Sequence, residues 1–174
     1  MKTFQDLQEG VYDPNILKAF FLAGGPGSGK SYVIERGTGG LGMKIVNSDD
    51  IFEKYIDDAG MTWKMNTKLG KEQEADRDKL RARAKEVANK QKANYVEGRL
   101  GLINDGNGKE YDNITGKAQK LRLLGYDIHM IFVNTSLDVA LRRNAARKRT
   151  LRPDIATKSW KSVQTNMGKF SQFF

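Results

Sequence analysis

An apolar run, Ala19 to Ala23, leads directly into Gly24-Gly-Pro-Gly-Ser-Gly-Lys-Ser31, and no other stretch restricts the fold as strongly. The spacing from Gly24 to Gly29, Lys30 and Ser31 is the G-x-x-x-x-G-K-S pattern. Tyr32 to Arg36 can continue as a helix, so the expected order is buried strand, glycine loop, helix. Such a loop curls consecutive backbone N–H groups around an anion, because glycine puts no Cβ in the way. The helix that follows adds unpaired N–H donors and the positive end of its dipole. Gly25, Gly27, Ser28 and Gly29 therefore form the candidate cradle. Lys30 is placed to reach β- and γ-phosphates, and the Ser31 hydroxyl to bind Mg²⁺. The alternative is a plain Gly/Ser turn.

With 174 residues the chain can build one compact domain. Hydrophobic residues make up 39% and charged residues 29%, a soluble globular balance. No apolar run approaches the ~20 residues that span a bilayer, and the first ten residues carry no secretory h-region. Cysteine is absent, which removes thiolate chemistry and disulfides and fits a reducing cytoplasm. The net charge of +9 is uneven. The first 70 residues hold 8 Lys/Arg against 9 Asp/Glu; the rest hold 22 against 12. A basic half favours a nucleotide, nucleic acid or other phosphate ester; a solvated lysine-rich surface is the alternative.

Strands are expected at 19–23, 43–47, 100–104 and 127–133, with helices between them, so the sheet should be parallel and covered on both faces. Residues 1–18 read as a leader at the sheet edge. Residues about 57–97 read as a cap or helical insertion, ending in a long charged helix from Glu72 to about Glu97. A lid is expected at about 147–154, and a last helix from Ile155 to about Met167. Gly37 to Gly42 lacks a following Lys-Ser and reads as a connection rather than a second phosphate loop.

Ligands of open parallel sheets bind beyond the carboxyl ends of the strands. Asn47-Ser-Asp49-Asp50 falls at one such end, on the strand expected to neighbour the phosphate loop. Transfer of a phosphoryl group to a hydroxyl needs a carboxylate to take the proton, and Asp49 is the candidate, with Asp50 second. The alternative for either is the N-cap of a helix beginning at Ile51. Asp105 ends the third strand and is a candidate for holding Mg²⁺ through water; a turn residue is the alternative. Leu141 to Arg152 carries six cations, of which Arg143 and Arg147 are spaced i, i+4. They can neutralise transition-state charge, as a finger supplied in cis does; a solvated helix end or nucleic-acid patch is the alternative. His129, Trp63 and Trp160 read as packing residues.

The ordered set Gly24 to Ser31, Asn47-Ser-Asp49-Asp50, Asn104-Asp105 and Arg143-Asn-Ala-Ala-Arg147 resembles the kinase domain of bacteriophage polynucleotide 5′-kinase, and is similar to the zeta-toxin kinases. The resemblance runs from about Ala19 to Phe170. It implies a nucleoside-kinase-like P-loop fold, a three-layer α/β sandwich with a mainly parallel sheet, and one kinase domain over 1–174. It implies ATP and Mg²⁺, with transfer of the γ-phosphate to a hydroxyl on a nucleic-acid 5′ end or a nucleotide-sugar. It assigns Asp49 as general base, Lys30 and Ser31 to phosphate and metal, and Arg143 and Arg147 to the lid; Asp105 matches an acidic active-site position. The sequence departs from these relatives where they carry an arginine: Asp50 is followed by Ile51-Phe52-Glu53. Relatives also continue past the last helix with a further strand. The rival readings are an ATP-binding switch and a nucleic-acid-binding protein without kinase activity.

Overall fold

A computed structural model of the chain describes residues 16–37, 42–62, 71–147 and 150–174. Most of the expected leader, the middle of the second glycine cluster, Trp63 and Arg149 lie outside the described residues.

Four strands form one parallel sheet: β1 (Lys18–Ala23), β2 (Lys44–Val46), β3 (Leu102–Asp105) and β4 (Asp127–Phe132), in the order β2-β3-β1-β4. The glycine-loop strand β1 is therefore central, between β3 and β4. This corrects one expectation: β2, which leads to Asp49, is not the neighbour of β1, because β3 lies between them. Leu22 of β1 is level with Asp105 of β3, so Asp105 stands immediately beside the root of the loop.

Six helices are described: α1 (Lys30–Gly37), α2 (Ser48–Asp58), α3 (Lys71–Glu97), α4 (Tyr111–Leu123), α5 (Leu137–Ala146) and α6 (Pro153–Phe173). Side chains alternate across a strand, so each strand feeds both faces. Ala19, Phe21, Leu102 and Ile128 join Ala118 and Leu121 of α4 on one face, with Phe173 and Phe174 from the chain end. Leu22 and Ile103 meet Ile34 of α1 on the other, with Phe20 and Ile131. Helices thus cover both faces, giving an α/β P-loop fold.

A third cluster lies outside the sheet. Phe52 and Ile56 of α2 pack on Ala84 of α3, flanked by Leu80 and Met61. Early α2 meets the middle of α3, whereas Ala59 to Thr62 share a cleft with Gln73, Asp76 and Leu80. The two helices are therefore antiparallel. A 27-residue helix is about 40 Å long, against about 20 Å for a six-residue strand. α2 leaves the carboxyl end of β2, and α3 returns from there until Tyr95 and Val96 pack on the sheet just ahead of β3. The last helix is longer than expected. Its buried Ala156, Ser159, Val163, Asn166 and Phe170 form a stripe at helical spacing that carries the helix to Phe173.

Candidate active site

The glycine loop follows β1 and hands over to α1 at Lys30. Gly27 and Gly29 have φ of 77° and 102°, a left-handed backbone that side chains disfavour. At Gly27 a Cβ would stand 2.3 Å from the Ala140 carbonyl oxygen of α5. The loop is therefore held tightly by α5. On its other side Trp160 of α6 packs near Gly25 and donates from Nε1 to the Thr135 carbonyl at 2.9 Å. Lys30 Nζ donates to the Gly24 carbonyl at 2.8 Å and more weakly to that of Gly25 at 3.4 Å. Its ammonium thus lies against the loop it is expected to serve.

At the carboxyl end of β2, Asn47 caps α2. Its Oδ1 accepts from the Asp49 N–H at 2.8 Å, so the helix starts at Ser48 rather than at Ile51. Asp49 and Asp50 occupy the first turn, where the dipole favours anions, and neither is the cap. Asn47 does more than cap. Its Nδ2 donates to Asp50 Oδ1 at 2.9 Å and to Asp105 Oδ2 at 3.0 Å, tying β2 to β3 across the rim. Sequence reading placed Asn47 in the polar run without a role, because a cap and a bridge between strands leave the same asparagine.

Electrostatics links these groups. Burial, reinforced by Arg147, holds the Lys30 ammonium below its usual range, while Asp105 and Asp49 pull it back. Burial pushes Asp105 above the ordinary carboxylate range, and Asp50 and Asp49 push it further; Lys30 and Arg147 oppose this. One rim therefore gathers Lys30, Asp49, Asp50, Asp105 and Arg147.

The arginines arrive from α5. Arg143 Nη1 donates to the Ser28 carbonyl at 3.3 Å. The helix ends at Ala146, so Arg147 is its extended C-cap and does not complete a helical i, i+4 face with Arg143. The turn beyond is stapled by Asn144, which is buried: its Nδ2 donates to the Leu151 carbonyl at 2.9 Å and its Oδ1 accepts from the Leu151 N–H at 3.2 Å. Arg152 instead pairs with Asp154 at the start of α6, at 2.8 Å. A similar asparagine, Asn166 of α6, holds the turn after β3 through the Gly108 and Lys109 carbonyls. His129 stands apart, stacked on Phe20 and paired with Asp127 at 2.9 Å.

One contributor gave no signal in sequence. Arg81 of α3 lies 3.7 Å from Asp49 Oδ1 and over the Phe52 ring, 4.4 Å from its centroid. It is one cation among many in a charged helix, and only the folding of α3 back onto α2 singles it out.

The residues fit a nucleotide with its metal. The glycine cradle has the backbone a triphosphate requires, and Asp105 Oδ1 is buried with no hydrogen-bond partner among the described residues. Mg²⁺ commonly takes one or two carboxylates and completes its shell with phosphate oxygens and water. Ser31, at the head of α1, and Asp105 could supply the protein share.

Solved structures share the fold. A Chloroflexus aurantiacus protein provisionally designated a kinase aligns with a TM-score of 0.58 at 19% identity, over 76% of this chain and 68% of its own. A component of the Pnkp1/Rnl/Hen1 RNA repair complex gives 0.66 at 15%, over 89% of this chain but 46% of its own, so this chain spans about half of it. A component of the PezAT toxin-antitoxin system of Streptococcus pneumoniae gives 0.58 at 15%, over 97% and 70%. No curated protein sequence matches the chain. A family model described as an AAA domain matches residues 20–169, from the strand before the glycine loop into the last helix. That span holds the loop, both carboxylate positions and the arginine helix, and on it the chain belongs to the AAA domain family AAA_33, with the fold of P-loop kinases.

Proposed function

We propose that the protein is an ATP-dependent phosphotransferase that moves the γ-phosphate of ATP to a hydroxyl acceptor. The observation that carries this reading is the meeting of Lys30, Asp49, Asp105 and Arg147 at the mouth of the glycine loop. A nucleotide-binding switch has no need of a second carboxylate poised across that mouth.

In this reading the loop amides and Lys30 hold the β- and γ-phosphates. Mg²⁺ would be held by Ser31 and Asp105, and its charge would offset that of the phosphates. The acceptor oxygen forms a bond to the γ-phosphorus while the bond from that phosphorus to the β–γ bridging oxygen breaks. The hydroxyl proton passes to Asp49, and ADP leaves. Arg143, bonded to the Ser28 carbonyl, and Arg147 sit where negative charge gathers on the transferring group.

Transfer of radiolabel from γ-labelled ATP to a panel of 5′-hydroxyl oligonucleotides and UDP-sugars tests the proposal. The wild-type protein labels an acceptor. Asp49→Asn lowers the rate by about 10²–10⁴-fold, the usual worth of a general base, with ATP affinity unchanged. No labelled acceptor, or an unimpaired Asp49→Asn protein, overturns it.

A further inference from the structure

Lys92 of α3 takes no part in the site above, and its surroundings are unusual for a lysine. It is half-buried, with no hydrogen bond or ion pair among the described residues. Tyr95 and Val96, one turn further along α3, pack on the cluster that contains Ala118 and Leu121 of α4, so Lys92 faces the same seam. On α4, Lys117 and Lys120 adjoin Ala118 and Leu121 in sequence and flank the seam from the other side. These two lysines are the charges that act on Lys92, and no carboxylate is among them. Its own helix offers Ala88, Asn89, Tyr95 and Val96 at three- and four-residue spacing, none of them acidic. The sheet side of the seam is Phe21 and Leu102, which carry no charge. Burial, reinforced by Lys117 and Lys120, lowers the Lys92 pKa to about 8. An ordinary exposed lysine is almost wholly ammonium at neutral pH, whereas Lys92 holds a substantial share of free amine, the nucleophilic form.

We propose that Lys92 is an acylation site, and that its acyl donor is an acyl phosphate held by Lys117 and Lys120. The two α4 lysines are exposed, so a small phosphate reaches them from solvent, and an ammonium binds phosphate as a point charge without demanding one orientation. The acyl carbon of a phosphate seated there lies beside the Lys92 amine. The amine attacks that carbon: a C–N bond forms, the bond from carbon to the phosphate oxygen breaks, and inorganic phosphate leaves with the electron pair. The proton shed by the nitrogen passes to solvent. The product is an uncharged amide, so the modification removes the charge that burial and two like neighbours oppose. Acylation therefore firms the end of α3 against α4 and the sheet. The site goes beyond the phosphotransferase reading and does not depend on it, because none of its residues belongs to the rim of the glycine loop.

The full chain is treated with acetyl phosphate and, separately, with the uncharged N-hydroxysuccinimide ester of acetic acid, and the rate at each lysine is read by peptide mass spectrometry. Lys92 is expected to react about tenfold or more faster than the exposed Lys54 and Lys158 at neutral pH. Its rate rises with pH to a half-point at about 8. The preference for Lys92 is larger with acetyl phosphate than with the ester, and the difference shrinks as salt is added. In Lys117→Gln/Lys120→Gln the half-point moves up and the extra preference for acetyl phosphate disappears, while Lys117→Arg/Lys120→Arg keeps both. The glutamine variant melts no lower than the wild type, since it only removes repulsion, and that shows it folds. Wild-type protein acetylated at Lys92 melts higher than before treatment. If Lys92 reacts no faster than Lys54 and Lys158, or its half-point lies where an ordinary lysine's does, the acylation site is refuted. A preference equal for both reagents, or one that survives in the glutamine variant, refutes the acyl phosphate as its donor.

Discussion

Asp105 has two carboxylate oxygens in different circumstances. Oδ2 accepts from Asn47, and Oδ1 is buried without a partner among the described residues. Burial and the nearby Asp50 and Asp49 hold its pKa above the ordinary value. A group raised in this way favours the folded state when protonated; that advantage is complete at low pH and is lost as pH rises through the folded pKa. At neutral pH the ionised carboxylate therefore weakens the ligand-free protein. Asp105→Asn is expected to leave the melting temperature equal or higher, while Mg²⁺-dependent nucleotide affinity drops tenfold or more. In the wild type that affinity should decline on acidification from a pH above the usual carboxylate range, and the Asn variant should lose this limb. Melting curves and nucleotide titrations across pH check both. A lower melting temperature with unchanged affinity would make Asp105 structural. Gly27 is the second residue with a sharp expectation. Its φ of 77° and the 2.3 Å approach to the Ala140 carbonyl leave no room for a side chain. Gly27→Ala should destabilise by about 2 kcal/mol or more and abolish nucleotide binding, as thermal melts and titration would read.

Among the elements, α5 and the turn behind it depend on one buried amide. Asn144 is 3% exposed and makes two hydrogen bonds to the backbone of Leu151. Asn144→Ala would leave both backbone groups unsatisfied, at about 1–3 kcal/mol. The turn carrying Arg147 would loosen, so proteolysis within 145–152 should accelerate and KM for ATP should rise. An unchanged KM would separate the staple from the site. The elements also show what local sequence can and cannot convey. The loop from Gly24 to Ser31 was legible because strand, turn and helix N-terminus are all written within thirteen residues. Strand order was not. It depends on which strand slots beside β1, a choice made by packing far along the chain, so Asp49 was assigned to a neighbouring strand when that place belongs to Asp105. The end of α6 was also hidden. Phe170, Phe173 and Phe174 looked like a tail until Phe21 and Tyr111 provided rings for them to meet.

On the scale of the whole molecule, two kinds of packing coexist. The sheet is covered on both faces, with Ala19, Leu22 and Leu102 almost fully enclosed. Over α2 and the first half of α3 the described packing is the small cluster of Phe52, Ile56 and Ala84 with its flanking side chains, under an exposed, charged outer surface, while Tyr95 and Val96 tie the far end of α3 to the sheet. That helix pair carries Asp49 and its partner Arg81, so its independence bears on function. Few buried apolar contacts imply a low free energy of local opening. Amides of 71–80 should therefore exchange with solvent well before those of β1. Phe52→Ala tests the separation. Truncating a buried phenylalanine costs about 3–5 kcal/mol when its surroundings unfold as one unit with the rest. If the pair opens on its own, the cost falls on it alone. Exchange should then speed up in 48–58 and 71–88, while β1, β3 and β4 keep their protection and the main melting transition moves little. Nucleotide affinity should survive, because Lys30 and the loop are anchored by α5 and α6, whereas acceptor-dependent transfer should fall with the population of the opened form. Uniformly faster exchange across sheet and helices would show instead that one cooperative core spans both, and that the acceptor side of the cleft cannot loosen without the nucleotide side.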